Sequence, residues 1–177
     1  PFLMRDMKKG VERILRAIDG GEKVAIFSDF DADGISAGVI IHDFFKKIGY
    51  TNFINYIPHR HEEGYGLSRS AVEELFRQGT TLLITADCGV ADADVIQACR
   101  DMGMDTIVTD HHLLNGGEPP ALAVLNPKAD EYPDKDLCGA GVAFKLVQAL
   151  IKEGGFENLG GWQKWLLDMV GLATIAD

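Results

Sequence analysis

The stretch Val24-Ala-Ile-Phe-Ser-Asp29-Phe-Asp31-Ala-Asp33-Gly34 decides how the rest of the chain is interpreted. An apolar run of this length, bounded by a turn signal, is typical of a buried strand. Three carboxylates follow at alternate positions, and carboxylates this close repel one another unless cations lie among them. Because open α/β sheets place ligands at the carboxyl ends of their strands, the stretch predicts a hard-metal site there.

Three other interpretations fit parts of this stretch. Asp33 could act only as the N-cap of a helix that begins at Ile35. A calcium-binding EF-hand loop also begins Asp-x-Asp-x-Asp-Gly, but its twelfth position must be acidic, and here it is Ile40. Haloacid-dehalogenase-type phosphatases place Asp-x-Asp after an apolar strand, usually followed by x-Thr or x-Val, and Asp33 occupies that place.

Length and composition describe one globular domain without a membrane span. The 177 residues are 46% hydrophobic and 25% charged, which is enough for a sizeable core. There is neither an apolar run of membrane-spanning length nor a basic-then-apolar signal segment. Cys88, Cys99 and Cys138 are odd in number and lack Cys-x-x-Cys spacing, so we expect reduced thiols in a cytoplasmic protein.

Charge and the chain ends add two expectations. A net charge of −10 argues against a broad nucleic-acid-binding face but leaves room for a local basic pocket. The chain opens at Pro1 and closes inside the apolar run Val170-Gly-Leu-Ala-Thr-Ile-Ala-Asp177. We therefore expect residues 1–177 to be one catalytic domain, cut from a longer protein.

Strands and helices alternate along the predicted chain. Strands are expected at 23–28, 52–57, 81–86, 105–109 and 121–125, and helices at 1–19, 35–48, 67–78, 92–102, 139–152 and 162–175. This order predicts an α/β fold, a parallel five-stranded sheet flanked by helices on both faces. We expect Arg13 to lie on a solvated face of the first helix, and the apolar helix 162–175 to be buried.

Acidic and histidine side chains follow three of these strands. They are Asp29, Asp31 and Asp33 after the first strand, Asp87 after the third, and Asp110, His111 and His112 after the fourth. In a parallel sheet these ends lie on one edge, so the side chains can converge. Oxygen ligands with one or two imidazoles suit Mn²⁺ or Mg²⁺ better than a thiolate-bound metal.

A loop after the second strand carries the best candidate for a phosphate clamp. It reads Pro58-His59-Arg60-His61-Glu-Glu-Gly64-Tyr-Gly66. The guanidinium of Arg60 can hold a phosphate through two hydrogen bonds, and the glycines allow a tight loop. A solvated surface loop with an arginine on its rim fits the local sequence equally well.

The motifs together resemble a known family. Asp110-His111-His112 after an apolar strand, with Asp29-Phe-Asp-Ala-Asp-Gly34 and Ala86-Asp87-Cys-Gly89, is similar to the DHH phosphoesterase superfamily. Within it, the loop His59–Gly66 and the runs Gly139–Lys145 and Gly171–Asp177 resemble the RecJ-like, single-strand-specific 5′→3′ DNA exonucleases.

The resemblance implies roles for individual residues. The implied metal ligands are Asp31, Asp33, Asp87, His111 and Asp177, with Asp87 touching both of two ions. Asp29 and Asp110 would lie beside the ligands without being ligands, and His112 would contact the phosphate. Some family members have a histidine four residues before the first ligating aspartate. Phe27 stands there, so one ion would have fewer protein ligands and depend on water or Asp29.

The implied activity is hydrolysis of single-stranded DNA in repair and recombination. Two Mn²⁺ or Mg²⁺ ions would activate a water between them, and no organic cofactor is needed. The implied catalytic set is Asp31, Asp33, Asp87, Asp110, His111 and His112. The implied partners are the DNA, a second domain of the same protein and other replication or repair proteins. Two alternatives stay open: a DHH hydrolase of oligoribonucleotides or small nucleotides, and a non-catalytic replication-associated module.

Overall fold

Five parallel strands lie at the centre of the computed structural model, which describes residues 1–129, 131–159 and 161–177. The strands are β1 (Lys23–Ser28), β2 (Phe53–Tyr56), β3 (Thr80–Ala86), β4 (Asp105–Thr109) and β5 (Ala123–Leu125). The helices are α1 (Met7–Gly20), α2 (Ala32–Lys47), α3 (Arg69–Arg77), α4 (Ala93–Asp101), α5 (Gly139–Glu153) and α6 (Leu167–Ala176). Short 3₁₀ turns occupy Glu157–Leu159 and Trp162–Leu166. The predicted α/β class and five-stranded parallel sheet are confirmed.

The strand order is β2-β1-β3-β4-β5, so the chain reverses its direction of winding between β1 and β3. Ser28 at the end of β1 pairs in register with Ala86 at the end of β3. The loops that leave these two strands therefore diverge from neighbouring points. In open α/β sheets, ligands bind in the crevice at this switch point.

Two apolar layers cover the sheet because residues of each strand alternate between its faces. Ile26 and Ile84 face the larger layer, which α1, α2 and α5 cover, whereas Phe27 and Leu83 face the layer under α3 and α4. Burial on both faces explains why β1 is a continuous apolar run rather than an alternating one.

Helix α2 begins immediately after the acidic turn. Asp31 is its N-cap, in extended conformation, and accepts a 2.8 Å hydrogen bond from the Gly34 amide. The capping role proposed for Asp33 therefore belongs to Asp31. A Cβ at Gly34 would lie 2.6 Å from the Asp29 Cβ, so this position needs glycine for the close turn.

Arg13 corrects the expected solvated face of α1. Its side chain is buried, and its guanidinium lies 2.6 Å from both the Asp105 and the Glu22 carboxylates. The helical pattern placed Arg13 on the polar face, but α1 crosses the start of β4, where two acids from other elements pair with it.

The C-terminal segment is a second correction. Instead of one buried helix at 162–175, a 3₁₀ turn precedes α6, which packs on α2 and α5. Ala173 is the buried residue of α6, whereas Trp165 is 78% exposed and Ile175 is 88% exposed. Apolar composition predicted burial, but only one stripe of this helix meets the rest of the described chain.

The three cysteines are free and buried, each in a different part of the fold. Cys88 follows β3, Cys99 lies in α4, and Cys138 precedes α5. Burial raises the pKa of the Cys88 thiol, which keeps it protonated.

None of the described helices has the length and apolar content needed to cross a bilayer.

Candidate metal centre

Acids and histidines converge at the carboxyl edge of the sheet in three overlapping groups. The groups are Asp87–His111–His112, Asp33–His111–Asp177 and Asp29–Asp31–Asp87, and within each the ligand atoms lie within 4.8 Å of one another. Asp87 and His111 each belong to two groups. Shared ligands of this kind suit two neighbouring cations.

Asp87 lies at the centre of this arrangement. Its backbone has a left-handed φ of 65°, which aspartate tolerates better than most residues. The Asp87 amide donates a 2.9 Å hydrogen bond to the Thr109 carbonyl, which ties the turn to β4. The carboxylate is buried, and this burial raises the pKa of Asp87 to about 7. A negative charge here is therefore unfavourable unless a cation compensates it.

His111 faces three carboxylates through one ring nitrogen. Its Nε2 lies 3.2 Å from Asp87 Oδ1, 3.6 Å from Asp33 Oδ2 and 3.7 Å from Asp177 Oδ1. Burial disfavours the charged imidazole, but the Asp87 carboxylate outweighs it and raises the pKa of His111. A proton or a metal ion can thus occupy the space between these groups.

Unpaired buried atoms test whether a metal fits this site. Among the described residues, Asp29 Oδ1, Asp87 Oδ1 and His111 Nε2 are buried without a hydrogen-bond partner. Such atoms destabilise a fold unless something binds them. Two carboxylate oxygens and an imidazole nitrogen are suitable donors for Mn²⁺ or Mg²⁺, so the residues present fit the ion.

Asp33 joins the site to a distant helix. Its two oxygens accept hydrogen bonds from the Gly139 amide at 2.6 Å and the Ala140 amide at 2.7 Å. These are free amides at the start of α5, where a negative charge is favourable. The local sequence carries no signal for this contact, because the partners are more than 100 positions apart.

Asp110 holds the two histidines in place. One oxygen accepts from the His111 amide at 2.7 Å and lies 2.7 Å from His112 Nδ1, and the other accepts from the Val90 amide. Burial would raise the pKa of Asp110, but the hydrogen bond from His112 and those from the backbone lower it. Asp110 belongs to none of the three groups, so its geometry suits orientation of the imidazoles.

His112 presents a positive charge at the edge of the site. Its hydrogen bond with Asp110 raises the pKa of His112 to about 9, so the imidazole is protonated at neutral pH. A protonated imidazole can donate a charge-assisted hydrogen bond to a phosphate oxygen.

Asp29 is buried within the centre, and Arg60 lies close enough to influence its charge. The Arg60 guanidinium stacks over the Phe30 ring at 4.8 Å. Burial raises the pKa of Asp29, which the positive charge of Arg60 partly opposes. The Asp29 carboxylate lies with Asp31 and Asp87, whereas the family resemblance placed it outside the direct ligands.

Three further residues support the site and were not identified from sequence. The Asp92 carboxylate accepts a hydrogen bond from the Leu67 amide, and the Asn126 side chain donates to the His112 carbonyl. The Tyr65 hydroxyl lies 3.2 Å from His112 Nδ1. Asn126 had a usable signal, since it follows a strand at the same sheet edge, and Tyr65 lies in the loop His59–Gly66 that carried part of the family resemblance.

Comparison with known proteins agrees with this geometry. Residues 23–174 match the DHH family, N-terminal domain. The chain is 39% identical over 180 residues to the single-stranded-DNA-specific exonuclease RecJ of Bacillus subtilis strain 168, covering 100% of this chain and 22% of that protein. It is 35% identical over 184 residues to the RecJ of Escherichia coli K12, covering 97% of this chain and 31% of that protein.

A solved structure shows the same likeness in three dimensions. The crystal structure of exonuclease RecJ bound to manganese superposes with a TM-score of 0.79 at 31% identity, covering 86% of this chain and 39% of that one. The chain thus spans about a fifth to a third of the length of the curated relatives named above. Since residues 23–174 match the family model and make up most of the sequence, the chain belongs to the DHH family.

Proposed function

We propose that this chain is the metal-binding part of a nuclease that hydrolyses phosphodiester bonds in single-stranded DNA. The observation that carries the proposal is the sharing of Asp87 and His111 between ligand groups, with their facing atoms buried 3.2 Å apart but not hydrogen-bonded. The similarity to RecJ exonucleases, one of them bound to manganese, supports the substrate and the ion.

In this proposal Asp31, Asp33, Asp87, His111 and Asp177 hold two Mn²⁺ or Mg²⁺ ions. Bound ions of this kind supply an activated water and neutralise charge on the phosphate. The chain's own residues do the positioning: Asp110 fixes both imidazoles, and the protonated His112 contacts a phosphate oxygen.

Arg60 is proposed as a second phosphate contact. Its stacking on Phe30 restricts the guanidinium to the side of the site where Asp29 and Asp31 lie. The planar group can then present two parallel donors to a phosphate, which a lysine cannot do.

The wider context also belongs to the proposal. A second domain of the same protein would form the other wall of the cleft. Action in DNA repair and recombination, association with other repair proteins, and a cytoplasmic location all stay predictions.

The test compares substrates in the full-length protein with Mn²⁺. We expect rapid release of nucleotides from long single-stranded DNA and much slower hydrolysis of dinucleotides. Faster turnover of dinucleotides or short RNA would favour the small-nucleotide hydrolase instead. Binding of DNA without any hydrolysis would favour the non-catalytic module.

Variants of two histidines link the activity to this site. His111→Ala should lose Mn²⁺ binding, measured by calorimetry, and cleavage together. His42→Ala is the matched control, because His42 lies in α2 and contacts Asn55 on the edge strand. Equal effects of the two changes would contradict the proposed centre.

A further inference from the structure

Two buried threonines lie beside the candidate metal centre, one near the end of β3 and one at the end of β4. Thr85 precedes Asp87 by two residues, and Thr109 immediately precedes Asp110. Both threonines are fully buried. A buried hydroxyl destabilises a fold unless it finds hydrogen-bond partners, so the partners of these two hydroxyls show which parts of the fold they hold together.

The Thr85 hydroxyl closes the turn that carries Asp87. It donates a 2.6 Å hydrogen bond to the Cys88 carbonyl, three residues further along the chain. Between these two residues Asp87 has its left-handed φ of 65°, a conformation that costs free energy for a residue with a Cβ. Because the hydrogen bond spans Asp87, it stabilises this conformation against the extended one.

The turn and β4 pack closely around the same hydroxyl. Gly89 has a φ of 112°, and a Cβ built there would lie 3.0 Å from Thr85 Oγ1 and 3.3 Å from the Val108 side chain. Only glycine therefore allows this approach. The close packing leaves the Thr85 side chain little freedom to turn toward another partner.

The two hydroxyls also join β3 to β4. Regular pairing of these strands extends to Ile84, which lies opposite Ile107. Beyond that pair, the Thr109 amide donates to Thr85 Oγ1 at 3.3 Å, and the Thr109 hydroxyl donates to the Thr85 carbonyl at 2.6 Å. The threonines thus continue the connection between the strands up to the residues where the candidate ligands begin.

The Thr109 backbone connects this pair to both ligand-bearing turns. Its carbonyl accepts a 2.9 Å hydrogen bond from the Asp87 amide. Asp110 follows Thr109 and orients both histidines. His111 Nε2 in turn lies 3.2 Å from Asp87 Oδ1. A change in the spacing of the two threonines would therefore change the distance between the ligands after β3 and those after β4.

We propose that Thr85 and Thr109 are positioning residues of the metal centre, which set the separation of Asp87 from His111 without touching the ions. The inference deepens the proposed function and rests on it. Because the two strands supply different ligands to the same centre, an error in their spacing weakens metal binding as well as the fold. Partners that orient metal ligands typically contribute roughly ten- to hundredfold to metal affinity.

Thr85→Val in the full-length protein tests the first hydroxyl, since valine keeps the branched shape of threonine and loses the oxygen. We expect Mn²⁺ affinity, measured by calorimetry, to fall about tenfold. Thr85→Ser should keep the wild-type affinity, because serine keeps the hydroxyl. Thr80→Val is the matched control and should also bind Mn²⁺ normally. Thr80 is buried at the other end of the same strand, and within the described part of the chain its hydroxyl has no hydrogen-bond partner.

Thr109→Val tests the second hydroxyl independently, and it decides the question if Thr85→Val does not fold. It should lower Mn²⁺ affinity as well. In the double variant the two losses should not add, because both hydroxyls belong to one network. Additive losses would overturn the joint action of the pair.

A purely structural role for the threonines predicts a different result. Thr85→Val would then unfold at a lower denaturant concentration in EDTA, yet bind Mn²⁺ with wild-type affinity well below its melting temperature. That result, or an equal loss of affinity in Thr80→Val, would overturn the inference and leave the nuclease function intact. Failure of the wild-type protein to cleave single-stranded DNA while it binds Mn²⁺ would overturn the proposed substrate alone. Failure of the wild-type protein to bind Mn²⁺ would overturn both proposals.

Discussion

At the scale of single residues, Asp87 carries the sharpest expectation. Its pKa in the folded protein is about 7, above the ordinary 3.8. Above pH 7 the carboxylate is therefore charged in both states, but in the metal-free fold it is buried, whereas in the unfolded chain water solvates it. Asp87→Asn removes that charge and tolerates the left-handed backbone. At pH 8 in EDTA the variant should be more stable by about 1–3 kcal/mol, measured by denaturant unfolding.

The same substitution should abolish the response to manganese. Because Asp87 is the carboxylate that belongs to two ligand groups, calorimetry on Asp87→Asn should show the largest loss of Mn²⁺ affinity among the carboxylate changes. Asp19→Asn, on the exposed end of α1, is the control and should change neither property. Unaltered Mn²⁺ affinity in Asp87→Asn would contradict a bridging role.

Arg60→Lys separates phosphate binding from metal binding. The change keeps the charge but loses the planar fork and most of the stacking on Phe30. In the full-length protein we expect normal Mn²⁺ affinity and a loss of about 1–3 kcal/mol in transition-state stabilisation, from kcat/KM on single-stranded DNA. Wild-type kinetics would place Arg60 on a solvated rim instead.

At the scale of elements, the start of α5 contributes both to the candidate metal centre and to the packing of the fold. A Cβ at Gly139 would lie 2.5 Å from Asp87 Oδ1, and the Gly139 amide donates to Asp33. Gly139→Ala should therefore destabilise the fold by about 1–3 kcal/mol and weaken Mn²⁺ binding. Unfolding curves with and without Mn²⁺ measure both effects.

A glycine in open space provides the comparison for that change. No heavy atom lies within 4 Å of a Cβ built at Gly116, and its φ is not positive. Gly116→Ala should change stability by less than about 0.5 kcal/mol. A similar small effect at Gly139 would mean that α5 can move away from Asp87 without loss.

The elements differ in how well sequence predicts them. β1 and β4 have the predicted bounds, because an apolar run meets a charged turn at one end and a polar residue at the other. The burial of helix α6 was predicted wrongly, because an apolar composition does not show which element, if any, covers an apolar face. The hydrogen bonds from the start of α5 to Asp33 could not be predicted either, because they join residues that are distant in sequence.

At the scale of the whole molecule, protons and metal ions compete for one site. The raised pKa values of Asp87, His111 and His112 all favour the protonated folded state. The metal-free protein should therefore become more stable as the pH falls, through His112 between about pH 9 and 6.5 and through Asp87 between about pH 7 and 3.8. The lowered pKa of Asp110 has the opposite effect on stability. It stabilises the fold above the ordinary pKa of 3.8, and this stabilisation is lost only at lower pH.

Manganese should reverse that trend. Bound ions stabilise the fold by linkage and are displaced as these groups take up protons, so the gain in melting temperature on adding Mn²⁺ should shrink from pH 8 to pH 6. Melting curves across this range with EDTA or excess Mn²⁺ provide the measurement. A gain independent of pH would place the ions elsewhere.

The sheet order also limits what sequence could predict of the site. The carboxyl ends of β1, β3 and β4 were expected on one edge, which the parallel sheet requires. The structure shows that β1 and β3 are direct neighbours. This depends on how the connecting helices pack against the sheet, which no local sequence pattern predicts. The support from Asp92 and Asn126 likewise appears only once loops from different strands are adjacent.

The double role of Asp33 has a practical consequence for anyone who needs an inactive form of the protein. An aspartate that holds the first amides of α5 while facing His111 cannot be replaced without loosening the packing between α5 and the sheet. A variant made there would lose activity for two reasons at once and would be a poor substrate trap. Asp31, with its exposed side chain and a single cap hydrogen bond, is the better position for that purpose.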